Sequence, residues 1–229
     1  MIATQQSDTQ KFYDLLGELG DRVSGPRKLR DCSSSSGWPA HGVYFFFEDG
    51  ETRINGSPRV VRIGTHALTE TSKTKLWNRL STHRGIVGGS RAGGGNHRAS
   101  IFRLHVGTAL LSQSEWPGVA LSSWRNNNTR HAARLAEHSL EQSVTQHIGT
   151  MPFLWLAVPD REDRGLIERN TIALLSCRGR DIDLISPQWL GLGADSEKVR
   201  TSGLWNVNHV DDGYDPSYLD IFSKLVNKV

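Results

Sequence analysis

Hydrophobic positions along the chain alternate between two rhythms, one of helices and one of buried strands. Phe12, Leu15, Leu16 and Leu19 recur at helical spacing, predicting a short amphipathic helix over residues 9–20 with Asp8 or Thr9 as cap. Gly42-Val-Tyr-Phe-Phe-Phe47 is apolar on both faces, the pattern of a strand covered on both sides. Arg59-Val-Val-Arg-Ile63 reads as the next strand, and Asp49-Gly50 and Asn55-Gly56 mark turns between them. A hairpin with a loop longer than two residues follows. Residues 72–83 are helical by period, with Leu76, Trp77 and Leu80 on one face and Arg79 and His83 one turn apart. Further helices are predicted over 100–111, 131–148, 163–176 and 218–226, with a buried strand at Pro152–Val158.

Between these elements the chain changes character. Residues 24–41 form a Ser-, Gly- and Pro-rich linker, 84–98 hold six glycines, and 112–130 is polar and reads as a surface loop. From residue 177 to the last helix the chain is loop-rich. The longest apolar run, Phe153–Val158, is far short of the ~20 residues of a membrane helix. No signal peptide is read at the N-terminus, and no contact with a membrane is expected. Cys32 and Cys177 form no CxxC pair, which argues against a zinc ribbon or a disulfide framework and for a reducing, cytoplasmic setting.

Charge sharpens this picture. The net charge is +3, yet residues 59–138 hold twelve Lys or Arg against Glu70, Glu115 and Glu137, a surplus of nine. The rest of the chain is therefore −6. Six of the nine histidines also lie in that window. A phosphate polyanion is the natural partner of such a surplus, because each contacted phosphate releases counterions. The bland alternative is a solvated basic face.

Three motifs follow in order. Gly42-Val43-Tyr44 opens the first strand and Arg62-Ile63-Gly64 closes the second; Leu76-Trp-Asn-Arg79-Leu-Ser-Thr-His83 forms a helix; Leu166-Ile-Glu168-Arg-Asn170-Thr-Ile172 forms another, after the buried strand. Together they resemble the GIY-YIG nuclease superfamily, with its paired tripeptides, its arginine helix and its glutamate helix. The resemblance implies an α/β (α+β) fold, a small, mostly antiparallel sheet flanked by helices and carrying a helical insertion. It divides the chain into an N-terminal helix and linker (1–41), a catalytic domain (42–176) interrupted at about 85–150, and a C-terminal extension (177–229) packed on that domain. It also implies a metal-dependent DNA endonuclease that leaves a 5′-phosphate, with one Mg²⁺ or Mn²⁺ on Glu168.

The residue types suit that chemistry. Phosphodiester hydrolysis needs an activated water, a cation on the phosphate and help for the leaving oxygen. Glu168 supplies a hard oxygen ligand; an ordinary helix glutamate paired with Arg164 four residues earlier is the alternative. Tyr44 stands beside the water, provided a cation lowers its pKa, or else is a core tyrosine. Arg79 offers a planar fork to phosphate, with His83 on the same helix face. Both also suit a basic edge that only follows the DNA backbone.

Three positions depart from the pattern. Arg62 replaces the usual tyrosine and stands either near Tyr44, lowering its pKa, or on phosphate. His66 sits where many members place a lysine. No asparagine beyond Glu168 matches clearly, leaving Ser186, Gln188 and Asn170 as stand-ins. The glycine-rich stretch lacks a Gly-Lys-Ser/Thr ending and is not a Walker loop. Arg91, Asn96, His97 and Arg98 are read there as nucleic-acid contacts, against a plain flexible loop. Trp189, Trp205 and Tyr214 are read as packing that folds the tail onto the domain. Alternatives to the nuclease are an inactive nucleic-acid-binding module on the same fold and an RNA-processing enzyme. Cutting two strands with one site per chain calls for two chains or two binding events, which leaves a homodimer open.

Overall fold

The computed structural model describes residues 2–126, 131–178 and 183–229. Helix α1 (Ile2–Arg22) leads to a two-residue strand β1 (Arg27–Lys28), then to the hairpin of β2 (Gly42–Thr52) and β3 (Pro58–Gly64). Helix α2 (Leu76–Arg84) follows. Then come α3 (Ile101–Gln113), α4 (Leu121–Trp124), α5 (His131–Ala136) and α6 (His138–Thr150). Strand β4 (Pro152–Ala157) and α7 (Arg161–Leu175) complete the order read from the motifs, and α8 (Glu197–Ser202) and α9 (Tyr218–Val226) close the chain.

Among the described residues the sheet runs β1-β4-β2-β3, with every neighbouring pair antiparallel. The central strand β2 is apolar on both faces because both faces are covered. Tyr44 and Phe46 join Leu76, Leu80, Phe102, Val106, Leu140 and Val144, from α2, α3 and α6, in one buried cluster. Val43 and Phe45 join α1, α7 and α9 through Phe12, Leu19, Ile167, Ile172 and Phe222 in another. Burying side chains of this size stabilises by roughly 1.5–3 kcal/mol each. Leu19 is fully buried, and Leu19→Ala would cost about 2–5 kcal/mol by opening a cavity.

Two local features position the site. The pairing Phe46↔Arg62 gives way to Phe47↔Val60, so β3 carries one extra residue at a bulge. Beyond it, Arg62 and Gly64 lie on the face of Tyr44, which pairs with Gly64. Strand β3 is the sheet's edge, and the chain after α8 covers it: Trp205 N–H donates to the Val61 carbonyl at 2.7 Å, and the Asn206 side chain bonds both backbone groups of Ile63. Covering an edge in this way blunts its tendency to pair with another chain.

Several boundaries differ from the sequence reading. Helix α1 starts seven residues earlier than expected, because nothing in Ile2–Asp8 breaks a helix. β1, α4 and α8 were read as linker or loop; all are too short to show a period. The end of the polar loop, 127–130, lies outside the described residues. Among the described residues no helix is long and apolar enough to cross a membrane.

Candidate active site

The end of β3 is the meeting point of three motifs. Gly64 stands under the Tyr44 ring, and a Cβ there would overlap the phenol oxygen. Only glycine leaves that space. The Tyr44 hydroxyl lies 2.9 Å from His83 Nε2, and His83 Nδ1 lies 2.8 Å from the Ser100 hydroxyl. Ser100 is also the N-cap of α3, accepting the Arg103 N–H at 3.2 Å. A chain of polar groups therefore runs Ser100–His83–Tyr44, with both rings fully buried. Burial first, then the charges of Arg79, Arg62 and Arg103, hold His83 well below its usual pKa of 6.5, so its ring is neutral near pH 7.

Glu168 reaches the same point from the opposite face of the sheet. Helix α7 is capped by Asp160, which accepts the Asp163 N–H at 2.9 Å, and Ile167 anchors it in the core. Glu168 Oε1 accepts the Thr65 N–H at 3.1 Å, and the Thr65 hydroxyl donates to the Gly42 carbonyl at 2.8 Å. The glutamate thereby ties the ends of β2 and β3 together. Burial raises its pKa, and the charges of Arg62, His209 and Arg79 and the Thr65 bond only partly oppose that. Arg164 is spent elsewhere, on the carbonyls of Val158, Pro159, Asp160 and Ala67, so the alternative of a Glu168–Arg164 pair does not hold.

Arg62 lies buried over the Phe102 ring and donates to the Trp205 carbonyl at 2.7 Å, while its Nε has no partner among the described residues. Arg79 is half-buried and donates once, to the Ala99 carbonyl at 3.3 Å. His66 is buried, its Nε2 lying 3.3 Å from both His41 Nδ1 and the Ala40 carbonyl. Burial pushes its pKa down to about 4, and its Nδ1 has no partner among the described residues. His41, stacked on it, is the ring of the pair that reaches the surface.

The residues expected at nucleic acid in the glycine-rich stretch divide. Arg91 and Asn96 are exposed, although the Asn96 side-chain oxygen accepts the Arg98 backbone N–H. His97 is buried against Trp124, with one nitrogen 2.8 Å from Glu141 and the other 2.7 Å from the Trp124 carbonyl. That ring faces the interior rather than a nucleic-acid backbone. Arg98 makes a two-pronged bond to Glu137, at 2.8 and 2.9 Å.

Of the stand-ins for the missing asparagine, Asn170 holds the tail by accepting the Asp215 N–H at 2.7 Å, and Ser186 lies beside Glu51. Asn206 is the asparagine that lies against the strand carrying Arg62 and Gly64, and the sequence reading missed it. Its place in the tail was the only signal, since bonding both backbone groups of Ile63 is visible only once the tail is folded back. Ser100 was legible as a helix start but not as the partner of His83. Trp189 and Trp205 pack in the core as expected, and both indoles donate to Glu48 at 2.9 Å.

An antiparallel sheet with a tyrosine and glycine paired at its edge, an Arg/His helix on one face and a glutamate helix on the other has the parts and order of the motifs quoted above. A family model of the GIY-YIG domain matches residues 3–229, and the chain belongs to that family. The family is one of nucleases, acting on nucleic acid and generally dependent on a divalent metal. The match includes the tail as well as the core. No curated protein and no solved structure matches the chain.

Proposed function

We propose that the chain is a DNA endonuclease that hydrolyses phosphodiesters with one Mg²⁺ or Mn²⁺ held by Glu168. The observation that carries this reading is the convergence of the Ser100–His83–Tyr44 chain and Glu168 on Gly64–Thr65. Glu168 fits a hard cation, being a mostly buried carboxylate that has, among the described residues, no direct ion pair and one oxygen left over. Among the described residues no cluster of three or more His, Cys, Asp or Glu competes for it. A bound divalent ion would polarise the phosphate and acidify a water.

The chain's own groups do the rest. Neutral His83 accepts the Tyr44 proton at Nε2 while the phenol oxygen takes a proton from the attacking water. Water adds to phosphorus, the P–O3′ bond breaks, and the 3′ oxygen takes a proton from solvent. Arg79, always charged, grips the phosphate with the N–H groups it does not give to Ala99. Arg62 stays in place as a buried charge that favours the ionised Glu168. Arg91 and Asn96 follow the DNA backbone farther out.

Both rings of the Tyr44–His83 pair are buried in the free chain, so the mouth beside Arg79 must open when DNA arrives. That burial favours a second reading, a binding module without chemistry. Supercoiled plasmid incubated with Mg²⁺ or Mn²⁺, beside Glu168→Gln, separates the two. The parent is expected to nick or linearise it, and the variant to lose about a hundredfold or more. Retardation of DNA of varied sequence by both proteins, with cutting by neither, would leave the binding module. Cleavage of matched RNA but not DNA would make it an RNA-processing enzyme.

A further inference from the structure

We propose that His209, oriented by Asp212, is a phosphate-contacting residue of the DNA site, placed at the mouth beside Glu168 by the C-terminal segment that covers β3. The inference rests on the nuclease reading and adds a residue from a part of the chain read until now as packing.

The segment is pinned along its length. The Gly203 carbonyl accepts from Arg59 and the Trp205 carbonyl from Arg62. Trp205 N–H bonds Val61 and Asn206 brackets Ile63, so the chain advances along β3 toward its Gly64–Thr65 end. The Val210 carbonyl is then caught by the Ser176 hydroxyl at the end of α7, and the Asp215 N–H by Asn170. His209 lies in sequence between these anchors, on the stretch that passes from the β3 edge at Ile63 to Ser176 at the end of α7, the helix of Glu168. Its charge acts on the Glu168 carboxylate after that of Arg62 and before that of Arg79.

The backbone there is unusual. His209 has φ of +64°, a left-handed conformation that a side chain larger than glycine adopts at a cost. Such strain persists where surrounding bonds over-determine it. Here the Asp212 N–H bonds the His209 carbonyl at 3.3 Å, and the Asp212 carboxylate lies 2.7 Å from His209 Nδ1. The ring is thus held by one nitrogen. The other, Nε2, has no partner among the described residues, and the side chain is 37% exposed. When the ring carries both protons, Nδ1–H is held by the Asp212 carboxylate and Nε2–H is left to donate to a phosphate oxygen.

The test is equilibrium binding of a fluorescently labelled DNA duplex in EDTA, over a series of salt concentrations, for the parent and His209→Asn. Asparagine tolerates the left-handed backbone but cannot reach as far as imidazole. The expected result is a Kd raised about tenfold and a slope of log K against log salt reduced by about one. A lowered Tm with an unchanged salt slope would mean that His209 only builds the turn, and a Kd and slope equal to the parent's would equally overturn the inference. If the parent itself binds no DNA, the nuclease reading has failed and this inference falls with it.

Discussion

Two clusters of arginine and histidine, one in the insertion and one at the end of β3, are satisfied in different ways. In the insertion, the Glu141 carboxylate accepts from the His97 backbone and ring and from Arg103, while Arg103 also reaches the His83 carbonyl and Thr145. Every charge there has its counter-charge in contact. At the end of β3, by contrast, the charges of Arg62 and Arg79 act on the Glu168 carboxylate without a direct ion pair, and the Arg62 Nε and the nearby His66 Nδ1 have no partner among the described residues. Buried polar groups are normally paired, as they are in the first cluster, and we propose that the second is open to a ligand. Basic composition alone did not separate them, since both fall in the same +9 window.

The largest effect should come from breaking the closed cluster. Glu141→Gln leaves the Arg103 guanidinium buried without its counter-charge, and urea unfolding should show a loss of about 3–5 kcal/mol. Although burial alone would raise it, the His97 and Arg103 bonds hold the Glu141 pKa below the usual carboxylate range. Its stabilisation is therefore present above about pH 4.5 and is lost only as pH falls below that. A loss under 1 kcal/mol would show that the network is not what holds the insertion on α2, and the contrast between the clusters would collapse.

How much of this was legible in the sequence follows from the same contrast. Tyr44, Arg79, His83 and Glu168 sit on long elements with a clear period, so their faces were readable and the structure brings them to one place. The internal partners of His97 and Arg98 were not readable, because Glu141 and Glu137 lie about forty residues on, at the start of α6, whose docking no local pattern reports. Asn206 and His209 were missed for a related reason. They act from a loop whose course is set by Arg59, Arg62 and Ser176, three donors remote in the chain.

The open cluster should show itself in a pH window that the closed one lacks. Burial, aided by neighbouring charges, depresses His66 to about 4 and His83 well below 6.5. A histidine held neutral in the folded state binds fewer protons than in the unfolded chain. Its contribution is thus complete above about pH 6.5 and is lost as pH falls toward about 4. The Tm should drop between pH 7 and pH 5, well before Glu141 titrates. His66→Asn should flatten part of that drop, and a parent curve already flat over this interval would count against an open, neutral cluster.

The smallest effect is also the most specific to the open site. Burial raises the Glu168 pKa, so between pH 4.5 and that raised value the folded chain holds a proton that the unfolded chain has released. Stability attributable to Glu168 is therefore greatest at low pH and is lost as pH rises through the folded pKa. An amide in its place keeps the acceptor for the Thr65 N–H but carries no charge to desolvate. Glu168→Gln should thus match the parent near pH 4 and melt slightly higher than the parent at pH 7. Addition of Mg²⁺ should reverse the order at pH 7, because an ion that binds only the folded parent stabilises it by mass action and has no carboxylate to bind in the variant. A variant less stable than the parent at pH 7 without metal would mean that Glu168, like Glu141, is part of the architecture and not a ligand waiting for its cation.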